Sequence, residues 1–416
     1  MALWGTSSTD ESKPKWLSDG SKVGDKQDVF ADARGWVLRH YKNAAQTEYW
    51  DEVVATSKGL NTALSEATIT GVYYTNDTMK AKVCAKGGRR MIEFAVEENI
   101  DFSQDGKVII ATSEEQLPIV DKLLNNAANN KIPAERIDNK QLMELEPYAS
   151  PDSLAAIYCK TTAVIDSKAV VGRLHEKLIK QGVAFLLNTK FIKRVKKGEI
   201  MTSKGRIQYG FLYNCAGAYA DKVAKHFGLA GDYELIPFKG IYWKLSKDAS
   251  YKIRANIYPV PDISMPFLGV HLTKVISGDV YVGPTAIPAF GRENYNILSD
   301  IRVSEALPIT VKLLEMYLKN KNNFRKMTYL EMSKYWKPNF LAAAKKLMPS
   351  LEAKDLVPTS KVGIRPQLIN INTGELEMDY IFESTIDSLH VLNSISPAFT
   401  SSFAFAELIV DKSKNI

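Results

Sequence analysis

A mixed α/β fold follows from three features of this chain: a capped amphipathic helix, β-forming stretches after it, and a strand that enters a small-residue turn ahead of a second helix. Asp166 stands where an N-cap belongs, and Val170, Val171, Leu174 and Leu178 recur on one helical face. Gly182 then takes the position of a helix-ending glycine. The stretches AFLLN (184–188), FIKRVK (191–196) and RIQYGFLYNC (206–215) read as strands. The last runs into Ala216-Gly217-Ala218 and the helical AYADKVAKHFGL. Small side chains there let backbone approach a ligand closely, although such turns also serve simply to pack a helix on a sheet.

The chain has 416 residues, enough for roughly two or three domains. Its 45% hydrophobic and 24% charged content is that of an ordinary globular protein. No apolar run reaches the length of a membrane span, and the start MALWGTSSTDESKPK shows neither a signal-peptide core nor a transit-peptide pattern. These features predict a cytoplasmic protein. The three cysteines, Cys84, Cys159 and Cys215, lack metal-ligand spacing and read as reduced core residues. The five histidines, His40, His175, His226, His271 and His390, are likewise without ligand spacing, so no metal site is expected. No Lys/Arg block is interleaved with aromatics in the way nucleic acid demands.

Net charge is +7, divided unevenly: residues 1–70 hold 8 Lys+Arg against 10 Asp+Glu, and the remainder 46 against 37. Four of the six tryptophans (Trp4, Trp16, Trp36, Trp50) also fall in the first part. Residues 1–28 are polar and suit an extended arm, whereas GWVLRHY (35–41) and TEYWDEVVAT (47–56) suit an antiparallel ribbon. A dinucleotide-binding start needs a strand, a Gly-x-Gly-x-x-Gly turn and a helix. The scattered Gly5, Gly20, Gly24, Gly35 and Gly59 do not build one.

Several stretches, taken in order, resemble the D-amino-acid-oxidase-like superfamily of FAD-dependent oxidoreductases, and within it the branch acting on L-2-hydroxyglutarate. They are GVYYTNDTMKAKVC (71–84), GKVIIATSEEQ (106–116), LYNCAGAYADKVAKHFGL (212–229), IPFKGIYWKL (236–245), IYPVPDISMPFLGVHLT (257–273), VYVGPTAIPAFGRENY (280–295), VGIRPQ (362–367) and HVLNSISPAFTSSFAFAELIV (390–410). The pair MPFLGVHLT and GPTAIPAFGRE points to the hydroxyglutarate branch. At the N-terminus, MALWG, ADARGWVLR and TEYWDEVV are similar to a module of structural proteins of tailed phages infecting marine bacteria. Such a module implies contacts with other proteins.

The resemblance implies FAD as cofactor and a small 2-hydroxy acid as substrate, oxidised by proton removal from oxygen and hydride transfer to the flavin. It also implies a discontinuous FAD-binding domain over 71–84, 150–230 and 355–416. That domain lacks its first βαβ unit and is interleaved with an antiparallel-sheet substrate domain over 85–149 and 231–354. Residues 1–70 form a separate β-ribbon module, and helices near 302–350 cover the substrate sheet. His271 is the expected base, since an imidazole titrates near neutral pH; a hydrogen-bonded core histidine is the alternative. Arg365, after Gly363, is placed to clamp a carboxylate bidentately, with an internal ion pair as the alternative. Lys239 is a second cation where relatives usually carry Arg. Tyr73, Tyr74 and Tyr258 are candidates to line the substrate pocket, though such tyrosines more often belong to the core. Ala216, Gly217, Gly363, Ser396, Pro397, Thr400 and Ser401 are expected at the cofactor, the last four opening the C-terminal helix beside the flavin.

Three departures stand out against the family pattern. The missing start leaves the adenine, ribose and diphosphate contacts without residues to carry them, and Ile69 and Thr70 stand where a histidine and a small residue are expected. Phe399 replaces an alanine and would crowd a flavin. These departures support a second reading, a non-catalytic or degenerate fusion that does not bind FAD. No transmembrane segment is expected, and peripheral membrane contact stays open.

Overall fold

The computed structural model describes residues 72–262, 268–295, 301–394 and 396–416. The expected N-terminal arm and ribbon lie outside them. Among the described residues the largest sheet has nine strands. In spatial order these are Ile287–Pro288, Tyr233–Leu245, Val280–Gly283, His271–Lys274, Asn256–Pro259, Lys107–Ala111, Ala155–Cys159 and Glu135–Ile137, with Leu356–Asn370 paired along Tyr233–Leu245. Pairing is antiparallel except between Asn256–Pro259 and Lys107–Ala111. The sheet draws in Ala155–Cys159 and Leu356–Asn370, which the expected boundaries assign to the cofactor domain. Ala155–Cys159 is apolar and almost wholly buried, whereas Leu356–Asn370 is mixed and only partly buried, and neither pattern shows which sheet the strand joins.

Helices cover this sheet as the 302–350 stretch predicts. Phe340, Ala344, Leu347, Met348 and Leu351 pack on Val108, Ile110, Ile257, Leu272 and Val282. Met316, Phe324 and Met327 pack on Ile236, Phe238 and Ile369. Each such side chain taken fully from water stabilises the fold by about 1.5–3 kcal/mol, an upper bound because unfolded chains are themselves partly compact.

A second sheet has three strands, Phe382–Thr385, Ser388–Val391 and Leu212–Asn214, the last two parallel with His390 opposite Asn214. Over it lie the helix Met79–Glu97 and the C-terminal helix Ser402–Ser413, through Val83, Ala404, Phe405 and Ile409. Thr78 caps the first helix, accepting from the Ala81 amide at 3.1 Å. Gly87 in mid-helix costs about 1 kcal/mol of helix propensity. Its lack of a Cβ is what lets the chain at Ser401 pass, since a Cβ there would sit 2.5 Å from the Ser401 Cα.

The helix Ser167–Lys180 begins at Asp166, whose carboxylate accepts from Lys168 and Ala169 amides at 2.9 and 3.0 Å, and Gly182 follows at φ +80°. The expected strand 184–188 is absent: Val183 and Phe185 bury themselves against Leu178 outside any ladder. The expected strand 206–215 divides into Gly205–Gln208, in a three-stranded meander with Phe191–Lys196 and Glu199–Thr202, and Leu212–Asn214 in the parallel pair. A buried ion pair ties the two main sheets together. Arg292, just beyond Ile287–Pro288, grips the Asp221 carboxylate (2.7 Å from Nη2) and also donates to the Ala218 carbonyl beside the small-residue turn.

Candidate active site

His271 opens its strand and is 6% exposed. Its Nδ1 lies 2.9 Å from the Gly269 carbonyl oxygen, so Nδ1 carries the proton and Nε2 keeps a lone pair. The Tyr258 ring, from the adjacent strand, stacks on the imidazole with centroids 4.0 Å apart and planes 17° apart. Burial lowers the His271 pKa to about 3, and the nearby charges of Arg365, Lys107 and Lys361 push in the same direction, against the Gly269 hydrogen bond. The imidazole is therefore neutral, fixed in one tautomer, and set in a positive field.

Lys107 is fully buried, donates to the Tyr73 hydroxyl at 3.2 Å, and lies 4.6 and 4.7 Å from the Tyr73 and Tyr258 ring centres. Burial brings its pKa down to about 8. Lys361, 4% exposed, lies over the Tyr281 ring at 3.8 Å and the Tyr242 ring at 4.9 Å. Neither lysine was singled out by the sequence reading. The available signal was a lone Lys ahead of the apolar Val108-Ile109-Ile110, because a charge is expensive inside a core and rarely sits there idle.

The expected site residues divide. His271, Tyr258 and Tyr73 gather on one face of the nine-stranded sheet, linked through Lys107, and the charge of Arg365 is felt at His271. Lys239 does not join them. It pairs with Ile364 while its neighbour Phe238 pairs with Arg365, and adjacent strand positions alternate faces, so Lys239 and Arg365 point to opposite sides. Its ammonium donates to Asn294 Oδ1 at 3.2 Å, and burial lowers its pKa. Tyr74 turns toward Lys80, whose ammonium lies 5.7 Å from its ring centre, and its carbonyl accepts from Asn130 at 2.9 Å. Gly363 stands opposite Gly240 in the strand carrying Arg365.

The remaining candidates gather beyond the ends of the parallel strands, the place where ligands bind in open α/β sheets. Leu212–Asn214 leads to Ala216 and to Gly217 at φ +52°, and Ser388–Val391 leads to Asn393 and the 396–401 turn. Asn214 organises the first turn: its Oδ1 accepts from the Ala216 amide at 3.2 Å, and its Nδ2 donates to the Ala220 carbonyl at 2.8 Å. In the second turn the expected donors are engaged internally. The Thr400 and Ser401 hydroxyls give their hydrogens to the Pro397 carbonyl at 3.1 and 2.9 Å, leaving oxygens able only to accept. Ser396 is exposed, Pro397 is buried, and the peptide between them is cis. Phe399, half-buried, packs with Met91, Phe94 and Phe403 under the helix Met79–Glu97.

One observation on this edge fits a bound group. Asn393 is fully buried and its Oδ1 has no hydrogen-bond partner, although its Nδ2 donates to the carbonyls of Glu377 and Asp379. A donor on a ligand seated beyond these strands would satisfy it. The residues present thus fit the flavin end of a dinucleotide, whereas the sequence offers no glycine-rich turn for its diphosphate.

A fixed neutral imidazole among cations on one sheet, and a small-residue turn beyond the parallel strands of another, fit a flavoprotein oxidoreductase. The chain belongs to the DAO family of FAD dependent oxidoreductases, whose family model matches residues 50–412. That match begins within the segment read as a separate N-terminal module. The chain is 35% identical to L-2-hydroxyglutarate dehydrogenase of Indibacter alkaliphilus, over 88% of this chain and 91% of that protein. It is 29% identical to the mitochondrial human enzyme of that name, over 92% and 85%, and 30% identical to that of Escherichia coli K12, over 82% and 81%. Among solved structures, the FAD-bound L-α-glycerophosphate oxidase of Mycoplasma pneumoniae shares the fold with a TM-score of 0.64 at 18% identity, over 93% of this chain and 91% of that one. Glycine oxidase of Bacillus cereus gives 0.57 at 14%, over 85% of each. FAD is the cofactor of the family, and these matches disfavour the non-catalytic reading.

Proposed function

We propose that this protein oxidises L-2-hydroxyglutarate, or a closely similar 2-hydroxy acid, to the 2-oxo acid. The observation that carries the reading is the His271 imidazole, held neutral with Nε2 available and surrounded by Arg365, Lys107 and Lys361. A carboxylate drawn to Arg365 is anchored by a planar fork of donors. The substrate hydroxyl then lies against Nε2, which accepts its proton. When bound, FAD supplies the hydride acceptor. Burial and cations make the imidazole a weak base before substrate arrives. A bound dianion offsets that field and strengthens it as the reaction requires. Tyr258 holds the ring plane, and Lys107 holds Tyr258 and Tyr73 from beneath.

In this reading Ala216, Gly217, Gly363 and the 396–401 turn border the cofactor, and the division into cofactor and substrate parts follows the two main sheets. The three free cysteines fit a reducing cytoplasm. No described helix is long and apolar enough to cross a membrane. Exposed Leu307, Val311, Leu314, Leu318 and Trp336 lie in a stretch, 302–346, with ten Lys and Arg against three Asp and Glu, which supports peripheral contact with an anionic membrane surface. The activity test is anaerobic addition of L-2-hydroxyglutarate to the purified protein loaded with FAD. Bleaching of the flavin absorbance with formation of 2-oxoglutarate is expected. A flavin that stays oxidised, or a protein that never retains FAD, would defeat the reading.

A further inference from the structure

The helix Met79–Glu97 begins with a charge of the wrong sign for its place. Lys80 sits in the first turn, at the positive end of the helix dipole, and is 4% exposed. Among the described residues its ammonium has no hydrogen bond and no ion pair, and the Tyr74 ring centre lies 5.7 Å away. The neighbouring Asp379 carboxylate accepts instead from the amides of Met79, Lys80 and Tyr380, at 2.7, 3.1 and 2.8 Å. Beyond Asp379, Asn393 has the opposite lack: its Nδ2 donates to the Asp379 carbonyl at 2.6 Å, and its buried Oδ1 has no donor. We propose that Lys80 and Asn393 together grip the polar edge of the flavin ring. Asn393 Oδ1 accepts from the ring N3–H, and the Lys80 ammonium faces the adjoining carbonyl, where it stabilises the negative charge that the ring gains on reduction. This inference rests on FAD as the cofactor and not on which hydroxy acid is oxidised.

Complementarity and position carry it. Buried polar groups are normally paired, and a cation is the most costly to leave alone. A donor and an acceptor both left open beside Asp379 call for a ligand edge that offers both partners. The pyrimidine ring of a flavin has such an edge, whereas a carboxylate offers acceptors alone and leaves Asn393 Oδ1 unsatisfied. Asn393 follows the strand Ser388–Val391 at the cofactor edge. On its other side Lys80 shares a neighbour with Lys107: both ammonium charges act on the Cys84 thiol, against the burial that raises its pKa to about 12. Lys107 in turn contacts Tyr73 and Tyr258, the latter stacked on His271. Lys80 thus stands between the two places that hydride transfer has to join. Burial brings its pKa down to about 8, which leaves it mostly charged at neutral pH.

Sulfite reads the charge at this edge without turnover: its sulfur lone pair forms a bond to the ring N5, and the displaced electron pair leaves the pyrimidine anionic. Its dissociation constant and the two-electron midpoint potential are measured on the FAD-loaded full chain, on Lys80→Met, on Lys80→Arg, and on Lys82→Met, which alters an exposed lysine of the same helix. Lys80→Met is expected to weaken sulfite by about 10- to 100-fold. The potential should fall by about 30–60 mV, the same ratio for a two-electron couple. Lys80→Arg is expected to restore most of both, and Lys82→Met to change neither. Asn393 is read with N3-methyl FAD, which has lost the donor. The parent chain should bind it about 10-fold more weakly than FAD, and Asn393→Ala should bind the two alike. Unchanged sulfite affinity and potential in Lys80→Met, or a parent chain indifferent to the N3-methyl group, would overturn the assignment. If Lys80→Met retains no FAD, the N3-methyl comparison decides. Turnover is read separately: a chain whose flavin responds as expected yet is reduced by no 2-hydroxy acid keeps this assignment and loses the oxidase reading.

Discussion

The two sides of the candidate site treat their polar groups in opposite ways. Beyond the parallel strands, Thr400 and Ser401 direct their hydrogens to nearby backbone, Asn214 bonds both backbone and His390, and among the described residues of this edge Asn393 Oδ1 is left over. On the nine-stranded sheet, Lys107, Lys361 and Arg365 stand close enough to add their fields at one imidazole. The first side is an edge held in shape by satisfied hydrogen bonds; the second is a charged surface at which an anion is the natural complement. Shape suits a cofactor that stays, and charge suits a substrate that comes and goes.

Removing the base should separate the two sides most sharply. His271→Asn is expected to lower flavin reduction by about 100- to 10,000-fold while FAD content stays as in the parent. Equal rates in rapid-mixing experiments would remove His271 from the chemistry. Arg365→Met should raise the KM for the hydroxy acid by about 10- to 100-fold with little change in retained cofactor.

The cofactor edge answers to a different substitution. Gly87→Ala places a Cβ against the Ser401 backbone, with its Cα at 2.5 Å and its carbonyl oxygen at 2.6 Å, and backbone has no alternative rotamer to adopt. A loss of about 1–3 kcal/mol is expected in denaturant unfolding, together with weaker FAD retention. An unchanged midpoint would mean that the C-terminal turn does not depend on this close approach.

The smallest effect concerns pH. Burial lowers the His390 pKa to about 4 and keeps its ring neutral, with Nδ1 accepting from Asn214 and Nε2 donating to Ser388. The unfolded chain takes up a proton near pH 6.5 that the folded one refuses until about pH 4. Stability from this group is therefore complete above the unfolded pKa and falls as pH drops through that window, by up to ~1.4 kcal/mol per pH unit. Glu146, raised to about 7 by burial, contributes the opposite slope over part of the range. The His390 share is accordingly the difference between the protein and His390→Asn, which should shrink on acidification; a constant difference would contradict it.

Much of this arrangement was legible in the sequence because it was local. Asp166 and Gly182 bound a helix as caps do anywhere, and a strand entering Ala216-Gly217 shows itself through residue size. Long-range pairing was not local. Nothing in the pattern of Ala155–Cys159 or Leu356–Asn370 names the sheet they join, and the 184–188 stretch has strand composition yet is buried by packing alone. Within the site, His271 and Arg365 stood out as residue types suited to their tasks. Lys239 was favoured by its motif, whereas strand register turns it to the side opposite Arg365. Thr400 and Ser401 had the right chemistry for donors, but a carbonyl one turn away takes their hydrogens.

The positive field at His271 can be measured without turnover, by following its ring nitrogens in ¹⁵N-histidine NMR as pH is lowered, with and without saturating glutarate. The account predicts an imidazole that stays neutral down to about pH 3 alone and titrates at least about one unit higher with the dianion bound. A His271 that titrates near 6.5 in the free protein, or that ignores glutarate, would contradict the claim that this face is built to receive an anion.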